Sequence, residues 1–364
     1  MNAVPPKTVY LLGAGFSKPA GMPLATDLVG PLAQRIDHAE MNEWLASLKQ
    51  RVEWLCEPGQ KWTGLNIEQV FHLAYFSIEV HRLQQHLAPV VREAGETPWK
   101  RAKSIEGWLQ RLEYELVDLI SENVAKADLG PIARWASGVR ETDVVATFNY
   151  DTLVERALES VSKRWNHGFE SEPSGGIPVF KLHGSIDWIV ADRRESFSKL
   201  DLLFDKTTMR RPVGRTGYVE EDCRLWRCRS GEQREKWIVG RDLQLNPEGA
   251  RAQTPGVAGL GAYKELHRVP GLGLVWVGAM RAVQQADQLI VVGFSMSDFD
   301  TMAQMQLVDR MRKRHEEERP LRVLVIDPAA EDSAFQRRFR SVFHDAVSFE
   351  PQRHDAFDWR RVHG

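Results

Sequence analysis

Apolar residues along this chain recur in two rhythms. Short unbroken runs rich in β-branched and aromatic residues read as buried parallel strands. They are Thr8 to Leu12, Asp143 to Phe148, Val179 to Leu182, Gln288 to Val292 and Leu321 to Ile326. Each ends in a polar or turn-forming cluster: Gly13-Ala14-Gly15, Asn149-Tyr150-Asp151, His183-Gly184-Ser185, Gly293-Phe294-Ser295 and Asp327-Pro328. Open parallel sheets place their ligands just beyond the carboxyl ends of the strands. The five clusters are therefore expected to meet in one crevice.

The second rhythm is helical. Met41 to Cys56 carries Trp44, Leu45, Leu48, Val52 and Leu55 on one stripe, and Ile67 to Val91 and Ile105 to Leu119 repeat the pattern. In the last of these the stripe is Trp108, Leu109, Leu112, Leu116 and Leu119, which reads as core packing. Gly95 to Trp99 reads as a loop between helices. Leu274 to Ala286 sets Trp276, Met280 and Val283 on one face, and Asp309 to Glu318 mixes both charges as an exposed face does. From Ala191 to Pro270 the periodicity breaks down into dense charge with scattered Pro and Gly, which predicts an irregular insertion, a lid or an assembly surface.

The expected architecture is one domain over 1–364. Its α/β core, a Rossmann-like parallel sheet, comes from 8–27, 141–190 and 271–350. A helical insertion (28–140) follows the first βα unit, and 191–270 is the irregular insertion.

Composition narrows the class. Of 364 residues 43% are apolar and 27% charged, which fits a globular protein with a sizeable core. A formal net charge of −2 supplies no global attraction to nucleic acid or an anionic membrane. Arg210-Arg211 with Arg215, and Arg337-Arg338 with Arg340, read as solvated surface. Three cysteines, Cys56, Cys223 and Cys228, are too few for a disulfide framework or a four-cysteine zinc site. No apolar stretch approaches the roughly 20 residues that span a bilayer, and the first seven residues lack a signal-peptide apolar region. A soluble, cytoplasmic protein is expected.

The glycine turn excludes two common nucleotide sites. The dinucleotide fingerprint G-x-G-x-x-G requires glycine at position 18, where the chain has Lys18, and the nearest later acid, Asp37, sits in a helical stretch. Hydride transfer is disfavoured. Lys18 is not followed by Ser or Thr, so the turn is no P-loop either.

Gly13-Ala14-Gly15-Phe16-Ser17 with Ala20-Gly21-Met22-Pro23 resembles the sirtuin signature G-A-G-x-S-x-x-x-G-I-P, Met22 standing where the family has Ile. Thr147-Phe148-Asn149-Tyr150-Asp151 resembles the T-x-N-x-D segment, Lys181-Leu182-His183-Gly184-Ser185 the L-H-G segment, and Gly293-Phe294-Ser295 the later G-T-S turn. Asn66-Ile67-Glu68-Gln69-Val70 and Gly293 to Asp300 are similar to motifs of bacterial sirtuin-like NADases of anti-phage defence. Two departures point the same way. The zinc ribbon of the deacylases is absent, with only Cys223 and Cys228 and a possible His267 in its place, and Leu24-Ala25-Thr26-Asp27 replaces their acidic-aromatic-basic segment.

The resemblance implies that NAD is the substrate and that no metal is used. It assigns Asn149 to the ribose or the attacking water, Asp151 to orienting neighbours and offsetting positive charge, and His183 to general base work. An unperturbed imidazole titrates near 6.5, which suits that task. Gly13, Ala14, Gly15 and Ser17, with Pro23 nearby, would hold the pyrophosphate side; Gly293, Ser295 and Asp327 would take the adenosine side. Asp298 and Asp300 read as caps for a helix beginning near Thr301, and Glu68 as an exposed or capping carboxylate. His72, His167 and His354 lie in no motif.

Three functions compete. The first is an NAD glycohydrolase acting as a defence effector, assembled as a homo-oligomer or with a HerA-type ATPase or short Argonaute-type partner. The second is an NAD-dependent protein deacylase, and the third a non-catalytic NAD- or ADP-ribose-binding subunit.

Overall fold

The computed structural model of the chain describes residues 8–36, 38–55, 66–87, 98–170, 175–192, 200–203, 209–212, 218–221, 223–228, 254–258, 269–297 and 300–363. It opens with β1 (Thr8–Leu12) and a one-turn helix α1 (Ala14–Ser17). Five helices follow: α2 (Val29–Arg35), α3 (Ala39–Leu55), α4 (Ile67–Leu87), α5 (Pro98–Lys126) and α6 (Gly130–Gly138). Next come β2 (Val144–Thr147), α7 (Leu153–Ser160), β3 (Trp165–Asn166), β4 (Ile177–Lys181) and β5 (Gly184–Asp192). The stretch after it holds β6 (Leu200–Leu202), β7 (Met209–Pro212), β8 (Tyr218–Glu221), β9 (Cys223–Cys228) and β10 (Thr254–Val257). The last elements are α8 (Leu272–Gln285), β11 (Gln288–Val292), α9 (Thr301–Glu316), β12 (Arg322–Ile326), α10 (Ser333–Phe343), β13 (Val347–Glu350) and α11 (Arg360–His363).

Seven strands form one sheet in the order β13-β12-β11-β1-β2-β4-β3, every neighbouring pair parallel. This is the Rossmann-like α/β sheet that the apolar runs predict. The two halves grow outward from β1, whose neighbours are β2 on one side and β11 on the other. That reversal of direction opens a crevice beyond the strand carboxyl ends.

Both faces of the sheet are covered, so its central strands read as apolar runs rather than alternating. On β1, Tyr10 and Leu12 pack with the helices preceding β2, whereas Val9 and Leu11 pack with α8 to α10. Trp135 of α6 anchors the first face, meeting Tyr10 edge-on at 5.6 Å and Phe16 at 4.8 Å. Each such aromatic contact adds about 0.5–1.5 kcal/mol beyond area burial.

Local chemistry sets the helix ends. Asn66 and Gln69 exchange reciprocal bonds, Gln69 N–H to Asn66 Oδ1 at 2.8 Å and Asn66 N–H to Gln69 Oε1 at 3.0 Å. This capping box starts α4. Pro131 sits in the first turn of α6, where its missing N–H costs nothing. Lys163 closes the other end of that helix, its ammonium donating to the carbonyls of Ala136 (2.8 Å), Ser137 (2.6 Å) and Val139.

Three local expectations change. Residues 98 and 99, read as loop, begin the long helix α5. Two strands, β3 and β13, extend the sheet beyond the five apolar runs. Within 191–270, read as irregular, β6, β9 and β10 join β5 in an antiparallel sheet of order β10-β5-β9-β6, and β7 pairs with β8. Charged residues within β6 to β9 and the Pro-Gly of β10 hid the strand pattern. Among the described residues no helix is long and apolar enough to cross a membrane.

Candidate active site

A cavity of about 450 Å³ lies at the carboxyl ends of β1, β2, β4, β11 and β12. All eleven residues singled out from the sequence line it: Gly13, Ala14, Gly15, Ser17, Pro23, Asn149, Asp151, His183, Gly293, Ser295 and Asp327. Its size falls in the range of small-molecule sites, about 300–1,000 Å³.

The glycine turn after β1 is packed backbone against backbone with the turn after β11. Gly15 N–H donates to the Gly293 carbonyl at 2.9 Å, and Gly13 N–H to Val292 O at 3.0 Å. A Cβ on Gly13 would stand 2.5 Å from the Gly293 oxygen, and one on Gly15 2.7 Å from Gly293 Cα. Gly293 itself has φ +61, and its Cβ would lie 2.3 Å from Phe16 N. The glycines are thus required by the meeting of two turns. The N–H of Gly15, which a phosphate cradle would use, is already engaged.

Asn149 and Asp151 sit in the turn between β2 and α7, both buried. The Asn149 amide donates both hydrogens inward, to Gly13 O at 2.9 Å and Ser17 Oγ at 3.0 Å. Its donor capacity is therefore spent, and only Oδ1 remains to accept from a ligand. This narrows the sequence reading, which gave the amide both roles. Asp151 Oδ1 accepts Leu153 N–H at 3.0 Å, an Asx turn that launches α7.

His183 is buried at the exit of β4 within an aromatic wall. Phe148 meets its ring at 5.1 Å and Tyr150 at 5.7 Å, and Phe148 stacks on Phe294 at 4.3 Å. Backbone and phenol hold it in register: Ala258 N–H donates to His183 O at 2.8 Å, while the Tyr150 hydroxyl donates to Ala258 O at 2.6 Å. Burial drives the Tyr150 phenol well above its ordinary range, so it stays a neutral donor.

The far end of the cavity is formed by Ser295, Asp327, Phe335 and Arg338. Asp327 Oδ1 accepts Ala329 N–H at 2.8 Å. Burial pushes its carboxyl above the usual range despite that bond. Arg338 Nε donates to Ser295 O at 3.1 Å.

Sequence reasoning missed several wall residues. Glu68, read as an exposed or capping carboxylate, lines the cavity, and Ser297 Oγ lies 3.5 Å from its Oε2 and 3.1 Å from Asp300 Oδ2. Asp300 does occupy the N-cap position of α9 but makes no side-chain cap; its carboxylate turns to Ser297 instead. Asp298 lies outside the described residues. Tyr150 and Arg338 also line the wall; only the motif position of Tyr150 hinted at a role. His167 and His354 are buried elsewhere, His354 Nε2 against Phe16 O at 2.7 Å.

Among the described residues no group of three or more His, Cys, Asp or Glu is arranged to hold a metal ion. Cys228 is buried; Cys56 and His267 lie outside the described residues.

No family model matches this chain, and no curated protein matches it. Among solved structures it is similar to a Sir2 mutant with a p53 peptide and NAD, at 14% identity and a TM-score of 0.42, covering 98% of this chain and 91% of that one. A Sir2 homologue–NAD complex gives 16% and 0.41, covering 97% and 86%. A Sir2 homologue mutant with ADP-ribose gives 15% and 0.40, covering 97% and 89%. The α/β assignment rests on the strand pairing itself.

Proposed function

We propose that the chain is an NAD glycohydrolase, converting NAD and water to nicotinamide, ADP-ribose and a proton. The observation that carries this reading is a single cavity at the sheet's point of reversal. There the glycine turn after β1, Asn149 and Asp151 after β2, and His183 after β4 line one space. The motif resemblance names the same residues.

In this reaction the C–N bond to nicotinamide breaks with its electrons leaving on the pyridine nitrogen, and positive charge develops on the ribose. Asn149 Oδ1 orients the attacking water as an acceptor. His183 takes the water's proton as the new C–O bond forms and passes it to solvent. The Asp151 carboxylate offsets the transient positive charge. On the resemblance we extend the proposal to an NAD-depleting effector of anti-phage defence that assembles with itself or with an ATPase or Argonaute-type partner.

The test is chromatography of NAD incubated with the purified chain, with and without an acylated peptide. Nicotinamide and ADP-ribose in equal amounts, independent of peptide, are expected, and His183→Ala should slow their release at least ~100-fold. Acyl-ADP-ribose formed only with peptide would make the chain a deacylase instead. Wild-type turnover in both His183→Ala and Asn149→Ala would sink the site assignment.

A further inference from the structure

Lys181 is the last residue of β4 and is entirely buried, two positions before His183. A lysine in that situation requires partners, because an unpaired buried ammonium is strongly disfavoured. It has two. Its Nζ lies 3.2 Å from Glu155 Oε1, itself buried in the first turn of α7, and donates to the backbone carbonyl of Asp151. A second pair, buried Asp187 with half-buried Arg227 at 3.1 Å, ties β5 to β9 close by. Each of the two cations thus has a carboxylate partner in this part of the molecule.

The bond to the Asp151 carbonyl is not needed for that pairing. It belongs to a different set. Ile186 N–H donates to Tyr150 O at 2.9 Å, and Ser185 Oγ to the same carbonyl at 3.4 Å. Both carbonyls that follow Asn149 are therefore gripped by one continuous stretch, residues 181–186, and that stretch carries His183. The Asn149–Asp151 turn and the imidazole leave the paired strands β2 and β4, whose ladder ends where Leu182 N–H donates to Thr147 O at 2.8 Å, so contacts beyond the ladder must set the turn against His183. We infer that Lys181 is a positioning residue: its ammonium fixes the Asn149–Asp151 turn at a set distance from His183, with Glu155 serving to keep the ammonium charged in place.

The inference rests on the hydrolase reading for its kinetic consequence, but its structural half can be read without turnover. Lys181→Met alone would leave Glu155 as an unbalanced buried charge and endanger the fold. The informative variant is Lys181→Met with Glu155→Leu, which removes both charges and the carbonyl bond together. Replacing a buried ion pair by apolar residues is often neutral for stability, so this variant should unfold near the wild-type midpoint. Its Leu153 and Ile186 amides, which report the turn, should exchange with deuterium at least about tenfold faster. On NAD, kcat should fall by about 100-fold with KM little changed, since misplacing reacting groups by an ångström costs that much.

A folded double variant with wild-type kcat and wild-type exchange at those amides would overturn the inference and leave Lys181 as half of a buried ion pair. If the wild-type chain cleaves no NAD, the hydrolase reading fails on its own; the exchange rates still decide whether Lys181 holds the turn. Should the double variant not fold, Lys181→Gln with Glu155→Gln provides the second arm: two neutral amides can bond each other in place of the ion pair, while the side chain at 181, one atom shorter, no longer reaches the Asp151 carbonyl. Faster exchange at the Leu153 and Ile186 amides is again expected, and wild-type exchange in that folded protein would overturn the inference.

Discussion

The two sides of the cavity are made of different material. Where the turns after β1 and β11 meet, Gly13, Gly15 and Gly293 press backbone on backbone, with no room for a side chain. Where the turns after β2 and β4 meet, the wall is buried side chains: an amide and a carboxylate bonded to neighbouring backbone, and an imidazole set against aromatic rings. Damage to the first side should register as lost fold, and damage to the second as lost chemistry. Asn149 spans the two, because its amide hydrogens go to Gly13 and Ser17 while its oxygen is left for a ligand.

Gly293→Ala is the harshest way to break the first side. The added carbon meets Phe16 N at 2.3 Å in a left-handed backbone that alanine resists. A loss of at least about 3 kcal/mol is expected, read by thermal or urea unfolding. A wild-type midpoint would show that the turns can separate cheaply.

Asn149→Ala sharpens the contrast by touching both sides. It should lose NAD cleavage by ~100-fold or more and also lower stability by about 1–3 kcal/mol, because the Gly13 carbonyl and Ser17 hydroxyl lose their donor. His183→Ala should show the activity loss with a far smaller change in unfolding midpoint. Equal stability losses in the two would erase the distinction.

His167 supplies a control histidine off the cavity. Its Nδ1 faces Val179 O at 3.3 Å, and its Nε2 lies 3.4 Å from the Trp188 indole nitrogen, the pattern of a neutral ring donating at one end and accepting at the other. Burial pushes its pKa down to about 3. In the unfolded chain the ring takes its proton near 6.5. As pH falls from there toward 3, only the unfolded state gains that proton, and stability declines by about 1.4 kcal/mol per pH unit. Between pH 7 and 5 the wild type should therefore lose about 2 kcal/mol more than His167→Gln in urea unfolding. Equal losses would show that the ring is not held neutral.

The mildest test concerns the helix that brings Glu68 to the wall. Asn66→Ala removes one arm of the capping box of α4 and should cost about 1 kcal/mol, with faster amide exchange in the first turn of that helix. Unchanged stability would mean that tertiary packing alone fixes the start of α4.

How much of this is legible in the chain follows from how local the signal is. The central strands are unbroken apolar runs, because helices cover both faces of the sheet, and the turn residues follow them directly in sequence. Hence the strand-end clusters holding Asn149, His183 and Gly293 can be located from the apolar pattern, and the motif resemblance singles out those residues within them. The outer strands cannot. Val347-Ser348-Phe349-Glu350 lies at the sheet edge with polar residues at alternate positions, and Trp165-Asn166 is only two residues long. Glu68 reaches the cavity through tertiary packing of α4, 229 positions from the Ser297 it faces. Nor does composition distinguish Lys181 from a surface lysine; burial against Glu155 is a property of the assembled fold.

The central place of β1 has a bearing on how the protein comes into being. β1 is bonded along its whole length to β11, synthesised some 280 residues later. Until that partner arrives, the glycine turn has nothing to press against, and the crevice lacks half its wall. A nascent chain with these properties carries its own delay: it cannot complete the crevice until β11 has been made.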